Sequence, residues 1–281
     1  MARRWRFPRN RNDRIALSVF CFGGLFLLWY ELLHILPSYY QDTGNGLDTR
    51  MYFHICTALY LAHNIYGNMF MLATTDTAGS GIVWPTEPST QNGWRYCDNC
   101  VCYYPPRSHH CKICDVCVLK RDHHCWFAGY CIGYQNHRYY LALVFNMVLA
   151  GIYCNIFNFE FVSKVKDGFD IWTILSFFAP HVGLLFGYYN LYKFFITVQT
   201  TVGMLLTFLF SWMLLIQIQQ LQYGQTKYEN KKNIKTYELG LVTNMKEIAG
   251  SNWYLVFISP FIPSNLSGNG LEFKTNLSKS E

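Results

Sequence analysis

The sequence predicts an α-helical multi-pass membrane protein, with about four transmembrane helices and a small cytosolic Cys-rich domain between helices 2 and 3. Three observations predict it. Of 281 residues, 51% are hydrophobic and 14% charged, and the apolar ones gather in long runs separated by polar blocks. Basic residues flank those runs: Arg3, Arg4, Arg6, Arg9, Arg11 and Arg14 come before the first, and Lys227, Lys231, Lys232, Lys235, Lys246, Lys274 and Lys279 follow the last. Such flanks mark cytoplasmic segments or contacts to anionic lipid before they mark nucleic-acid binding. Eight of the eleven cysteines and four of the nine histidines fall in the 35 residues from Cys97 to Cys131.

Residues 1–14 form the basic cytosolic N-terminus. Transmembrane helices 1 and 2 fall in 15–73: Ile15 to Leu36 supplies 22 mostly apolar residues and Met51 to Ala73 supplies 23, each enough for the roughly 20 that a spanning helix needs. No small-residue cleavage pattern follows the first run, so a cleaved signal peptide is not expected. The polar block 74–138 holds the Cys-rich domain, and 139–221 holds helices 3 and 4. A third run covers Tyr139 to Val162. The stretch from Ile171 to Leu221, 51 residues, is too long for one helix and contains Pro180, Gly183, Gly187 and Lys193. We place the last span at 194–220 and read 171–190 as an extra membrane segment that does not fully cross; hydropathy also allows five spans. An even count returns the C-terminal region, 222–281, to the cytosol. Of the polar groups within the runs, Glu31 and His34 lie near an interface, and His63, Asn64 and Asn68 suit packing between helices, although intramembrane ionisable groups are also functional candidates.

From Cys97 the chain reads CDNCVCYYPPRSHHCKICDVCVLKRDHHCWFAGYC. No amphipathic period runs through it, and Pro105 and Pro106 break any helix. A segment so poor in core-forming residues needs another staple. Disulfides are disfavoured in a reducing cytosol, whereas C-x2-C followed by C-x2-C-x2-C presents thiolates as tetrahedral zinc requires. Two sites need eight ligands and there are twelve candidates, so some Cys or His are spare.

The spacing of Cys97, Cys100, His110, Cys111, Cys114, Cys117, the run Asp122-His123-His124-Cys125, and Cys131 resembles the cysteine-rich domain of DHHC-type protein S-acyltransferases, the palmitoyltransferases. The preceding PPRSHHC and the following Cys131, Gly133, Asn136 and Arg138 match the same family. The resemblance implies two structural zinc ions, one held by Cys97, Cys100, His110 and Cys117 and the other by Cys111, Cys114, His124 and Cys131. It leaves Cys102 and His109 without a ligand role, and Asp122, His123 and Cys125 for chemistry. Four protein ligands leave zinc no open position, so both metals are expected to be structural. A thiol acts as the thiolate, which an adjacent imidazole favours, and Asp122 would orient His123 as in acid–base–nucleophile triads.

The reaction implied is two-step acyl transfer from palmitoyl-CoA through a Cys125 acyl-enzyme to a cysteine of a substrate protein, with His123 as base. The substrate cysteine is expected near the bilayer, since an acyl chain gains about 0.8 kcal/mol per buried methylene. Arg107, His109 and Arg138, with Lys120 and Arg121, are candidates for the CoA phosphates. Thr226 and Glu229 resemble the family's Thr-Thr-x-Glu element, with Lys227 at the second Thr, and Asn244 resembles its C-terminal asparagine. The chain departs from the family where Trp126, Phe127, Ala128, Gly129 and Tyr130 replace Pro-Trp-Val-Asn-Asn, where Tyr104 replaces a common basic residue, and where TTDTAGS stands for Asp-Pro-Gly. The family implies an endoplasmic reticulum or Golgi membrane with the Cys-rich domain facing the cytosol. The rival readings are a zinc module that recruits partners without catalysis and a transporter. Retention of Asp122, His123 and Cys125 argues against the first, and the lack of matched repeats against the second. A nucleic-acid-binding role lacks a basic recognition helix.

Overall fold

Long apolar runs become long helices because a backbone in lipid satisfies its own polar groups only within a helix or a closed barrel. The structure, a computed structural model, describes residues 7–40, 49–78 and 93–276; Arg3, Arg4, Arg6, Lys279 and the last two residues of TTDTAGS lie outside them. Helix α1 (Arg11–Tyr40) carries a π-helical turn at Glu31–Ile35. Helices α2 (Thr49–Thr74), α3 (His137–Val165), α4 (Ile171–Phe178), α5 (Pro180–Leu185) and α6 (Leu191–Gln222) follow. Two short helices, α7 (Lys227–Lys231) and α8 (Leu241–Ala249), come after them.

Among the described residues, α1, α3 and α6 are long and apolar enough to cross a membrane. Helix α2 has the length, 26 residues, but its apolar run is diluted by His54, His63, Asn64 and Asn68. The stretch that hydropathy could not divide breaks at Ala179–Pro180: Asp170 caps α4 through the Thr173 amide at 2.7 Å, and Pro180 opens α5. At 1.5 Å per residue, helices of eight and six residues fall far short of a bilayer.

The chain divides into two units. The first comprises 1–23, 64–143 and 215–281, and holds all six strands: β1 (Arg95–Cys97), β2 (Cys102–Tyr104), β3 (His109–Cys111), β4 (Val116–Val118), β5 (His123–Cys125) and β6 (Tyr130–Ile132). Among the described residues they pair as three separate antiparallel hairpins, β1–β2, β3–β4 and β5–β6. Strands of three residues cannot bury a core of their own. Val118, Leu119 and Ile132 are nonetheless fully buried, and Ala78 adds a bridge to Val118.

The second unit comprises 24–63 and 144–214. Its core is Ile35, Leu36, Tyr40, Phe157, Phe161, Val162 and Ile196. Polar residues there link helices: Asn158 donates to Glu31 at 3.3 Å and Asn155 to Thr207 at 2.9 Å. That is the packing role expected of intramembrane amides. The outward face of α6, with Leu205, Phe208 and Trp212 exposed, is apolar in the manner of a lipid contact.

Candidate active site and metal centres

A short strand sets the geometry of DHHC. Side chains alternate across a strand, so β5 turns His123 and Cys125 to one face and His124 to the other. Across the hairpin, His124 pairs with Cys131, and these two join Cys111 and Cys114 in one cluster. Likewise His110 pairs with Cys117 across β3–β4 and joins Cys97 and Cys100. In each cluster every ligand atom lies within 4.8 Å of the others.

The donor sets fit zinc. Tetrahedral zinc, with Zn–S near 2.3 Å and Zn–N near 2.0 Å, sets its sulfurs about 3.8 Å apart and sulfur and nitrogen about 3.5 Å apart. In the second cluster the Sγ atoms of Cys114 and Cys131 are 3.7 Å apart, and His124 Nδ1 is 3.3 Å from Cys114 Sγ and 3.7 Å from the sulfurs of Cys111 and Cys131. In the first, His110 Nδ1 is 3.3 Å from Cys100 Sγ. His124 has a carboxylate hydrogen-bonded to its other nitrogen, as ligating imidazoles commonly do: Asp13 lies 3.0 Å from Nε2, whereas Asp115 stands 3.9 Å from His110 Nε2, beyond a direct hydrogen bond.

A 14-residue shift carries one cluster onto the other: 97, 100, 110 and 117 become 111, 114, 124 and 131. The hairpins obey the same shift, and so do their turns, where Val101, Asp115 and Gly129 take φ of +52°, +55° and +75°. Each metal is thus held by the turn of one hairpin and the cross-strand pair of the next. Continued once more, the shift places Cys125 where Cys97 and Cys111 stand, but Ala128, Arg138 and Phe145 replace the other three ligands. Cys125 sits in a metal-type turn with no metal partners.

On the other face, Asp122 is buried and its Oδ2 lies 2.7 Å from His123 Nδ1. The backbone N–H of Lys227 donates to Oδ1 at 2.7 Å, and Gln217 Nε2 approaches Oδ2 at 3.5 Å. Gln217 also accepts from His137 Nε2 at 2.8 Å. Burial alone would raise the Asp122 carboxyl, but the hydrogen bond and charge of His123, then His137 and the Lys227 amide, hold it well below the usual carboxylate range. The His123 ring meets Tyr140 edge-on at 4.9 Å, and Phe127 lies between Tyr140 and Phe20, at 6.5 and 5.7 Å.

Cys125 is 3% exposed. Burial pushes its thiol up to about 12, with the amides of Ala128 and Phe127 opposing and the charges of Asp13 and Asp122 adding to the rise. The sequence suggested a thiolate favoured by its neighbouring imidazole; burial acts against that neighbour by favouring the neutral thiol.

The sequence reading missed Asp13, far from the cysteines, Gln217, inside a span, and His137, six residues past Cys131 between Asn136 and Arg138. It did find Thr226 and Glu229, which form a reciprocal cap at the start of α7. Glu229 also receives Arg107, Nε at 2.8 Å and Nη2 at 2.7 Å, and Arg107 lies over the Tyr237 ring at 4.0 Å. Lys227 contributes its backbone to Asp122, which explains why a lysine serves where the family has threonine. Asn244 donates to the Leu221 and Gln222 carbonyls at 2.9 and 3.2 Å, closing the end of α6.

Arg107 and His109 line a hollow of about 320 Å³ together with Arg95, Tyr104, Tyr228 and Tyr237. Burial, then Arg95 and Arg121, push the His109 imidazole below its ordinary value, with Glu229 opposing. Arg107 Nη1 and Ser108 Oγ, on residues that line this hollow, have no hydrogen-bond partner among the described residues. Arg138 is turned elsewhere, to the Ser264 carbonyl and the Tyr139 hydroxyl. Lys120 is buried beside Glu247 and the Phe273 ring.

Comparison with known proteins agrees with this geometry. The family model described as DHHC palmitoyltransferase matches residues 90–234. The probable palmitoyltransferase ZDHHC24 of Danio rerio is 34% identical over 80% of this chain and 76% of its own, and that of Homo sapiens is 31% identical over 79% and 78%. The probable protein S-acyltransferase 6 of Arabidopsis thaliana is 32% identical over 60% of this chain and 38% of its own. With more than half its length matched by the family and three-quarters of a relative covered at that identity, the chain belongs to the DHHC palmitoyltransferase family.

Proposed function

We propose that the protein is an integral-membrane protein S-palmitoyltransferase in which Cys125 is the nucleophile, His123 the general acid and base, and Asp122 the residue that orients it. The observation that carries this is the Asp122–His123 hydrogen bond of 2.7 Å on the strand face that also bears Cys125, while His124 faces the metal cluster. Asp122 accepts the Nδ1 proton of His123, leaving Nε2 with a lone pair. As the thiol of Cys125 attacks the thioester carbonyl of palmitoyl-CoA, Nε2 takes its proton. It returns that proton to the departing CoA sulfur, and Cys125 holds the acyl group as a thioester. A substrate protein's cysteine thiol repeats the sequence in reverse, losing its proton to His123 and leaving Cys125 as the thiol.

Zinc in the two clusters supplies folding free energy, since all four positions are taken by protein. Phe127, Phe20 and Tyr140 offer an apolar path for the first part of the acyl chain. The hollow at Arg95, Arg107 and His109 suits the phosphate-bearing head of CoA, with tyrosine faces for its base. A four-span layout is supported by the make-up of the first unit, which holds the start of α1, the end of α2, the start of α3 and the end of α6 along with the metal clusters. A layout in which each of the four helices crosses once would bring those four ends to one side. Charge bias supports a cytosolic location for that side, and the family's pattern an endoplasmic reticulum or Golgi membrane.

The test is incubation of the purified protein with labelled palmitoyl-CoA. A hydroxylamine-sensitive adduct is expected in the native protein and not in Cys125→Ser. Label that persists in Cys125→Ser would end the assignment of the nucleophile.

A further inference from the structure

We infer that the segment leading into α1, with the first turns of that helix, is a working part of the second metal centre and of the hairpin that carries Cys125, with Asp13 as the positioning residue. The inference rests on the zinc reading above. Three contacts carry it, and all reach β5, β6 or the turn between them. The Asp13 carboxylate, nearly inaccessible to solvent, lies 3.0 Å from Nε2 of His124, whose Nδ1 faces the three thiolates. Pro8 covers Gly129, where a Cβ would stand 2.4 Å from its Cγ. Phe20, two helical turns beyond Asp13 and so on the same face of α1, lies 5.7 Å from the Phe127 ring.

The chemistry follows from the imidazole. A histidine that binds metal through Nδ1 carries its proton on Nε2, and a carboxylate there fixes the ring's tautomer and orientation and raises its basicity. Asp13 is that carboxylate. Because His124 and Cys125 are adjacent in β5, an imidazole free to swing would pass its motion to the nucleophile. Phe127 and Gly129 are also two of the positions where the chain leaves the family pattern of Pro-Trp-Val-Asn-Asn. Gly129 takes a left-handed φ of +75°, which asparagine also tolerates, so the turn itself does not demand glycine. Pro8 does, by occupying the space where a side chain would go. This chain holds its active hairpin from outside, with residues 8, 13 and 20, where the family has a proline within it.

Zinc release from the full-length, detergent-solubilised protein to a chromogenic chelator reads this without acyl-CoA, so it stands or falls apart from the acyl-transfer reading. Asp13→Ala is expected to release one of two zinc equivalents about 10–100-fold faster than the native protein. Asp13→Asn, which keeps an oxygen for the imidazole N–H, should fall between. Lys193→Ala, which removes a pair with Asp167 in the second unit, should leave the rate unchanged. Native release kinetics in Asp13→Ala would overturn the inference. Should Asp13→Ala not fold, the packing decides: Gly129→Asn should speed zinc loss in the native background and lose that effect beside Pro8→Gly. An equal effect in both backgrounds would overturn the buttress.

Discussion

Replacing Asp122 by Asn tests the proposed chemistry with the least change of shape. The carboxylate serves two close donors, His123 Nδ1–H and the Lys227 amide, each at 2.7 Å, and an asparagine has one oxygen to offer them. Which donor keeps it can be decided. The Lys227 N–H is fixed in direction by the reciprocal cap of Thr226 and Glu229, whereas His123 can move its proton to Nε2. The oxygen therefore goes to Lys227, the amide NH2 faces Nδ1, and His123 becomes the tautomer with no lone pair for the thiol. In serine proteases the equivalent change costs about 10⁴ in rate. Taking 10³ to 10⁴ here, the loss corresponds to about 4 to 5.5 kcal/mol at 1.36 kcal/mol per decade. Single-turnover formation of the hydroxylamine-sensitive adduct from labelled palmitoyl-CoA measures it, with two zinc equivalents per chain as the check on folding. A folded Asp122→Asn within about threefold of native would refute the orienting role.

Three further outcomes are expected. Lys227→Ala should acylate at the native rate, because only the backbone reaches Asp122; Lys227→Pro, at a first helical position where proline is tolerated, should keep the fold and lose about tenfold in the same assay. Lys120 is pushed down to about 7 by burial first and by Arg107 next; with its folded value below the unfolded one of about 10.4, stability rises as pH climbs from about 7 to about 10. Lys120→Met should remove that rise, lifting the thermal midpoint at pH 6 by the equivalent of about 1–3 kcal/mol and leaving it unmoved at pH 10. Ala128→Cys restores C-x2-C to the third hairpin, so added zinc should inhibit acylation in the variant and spare the native protein.

How much of this was legible beforehand divides along physical lines. Metal ligands were, because zinc takes few residue types and a tight turn fixes their spacing. Three of the long apolar helices were, because bilayer thickness sets the length of such a run. The break at Ala179–Pro180 was not placed, since hydropathy is blind to a bend between two apolar helices. Asp13 and Gln217 were missed because an acid near a basic terminus and an amide inside a span look like ordinary solvated or packing groups, and His137 because it stands between the matched Asn136 and Arg138 with no motif role of its own. Arg107 was read as a phosphate contact alone, and a single sequence has no way to pair it with Glu229, 122 residues on. The 14-residue shift, by contrast, lay in the open and asked only for one comparison of spacings.

That shift bears on why the reactive thiol is where it is. In each turn of a metal hairpin the sulfur is presented by backbone geometry and held by partners from the following hairpin. Hairpin β5–β6 has no successor: 14 residues past His124 and Cys131 the chain has entered α3, where Arg138 and Phe145 stand. The last turn must therefore leave its cysteine without metal, whatever else changes around it. What the residues after it must supply is narrower than the family pattern suggests. Position 129 must accept a positive φ, position 128 must be small and buried, and position 127 must put a ring beside Tyr140. Gly129, Ala128 and Phe127 meet these needs. Trp126, 66% exposed where the family has proline, meets none of them.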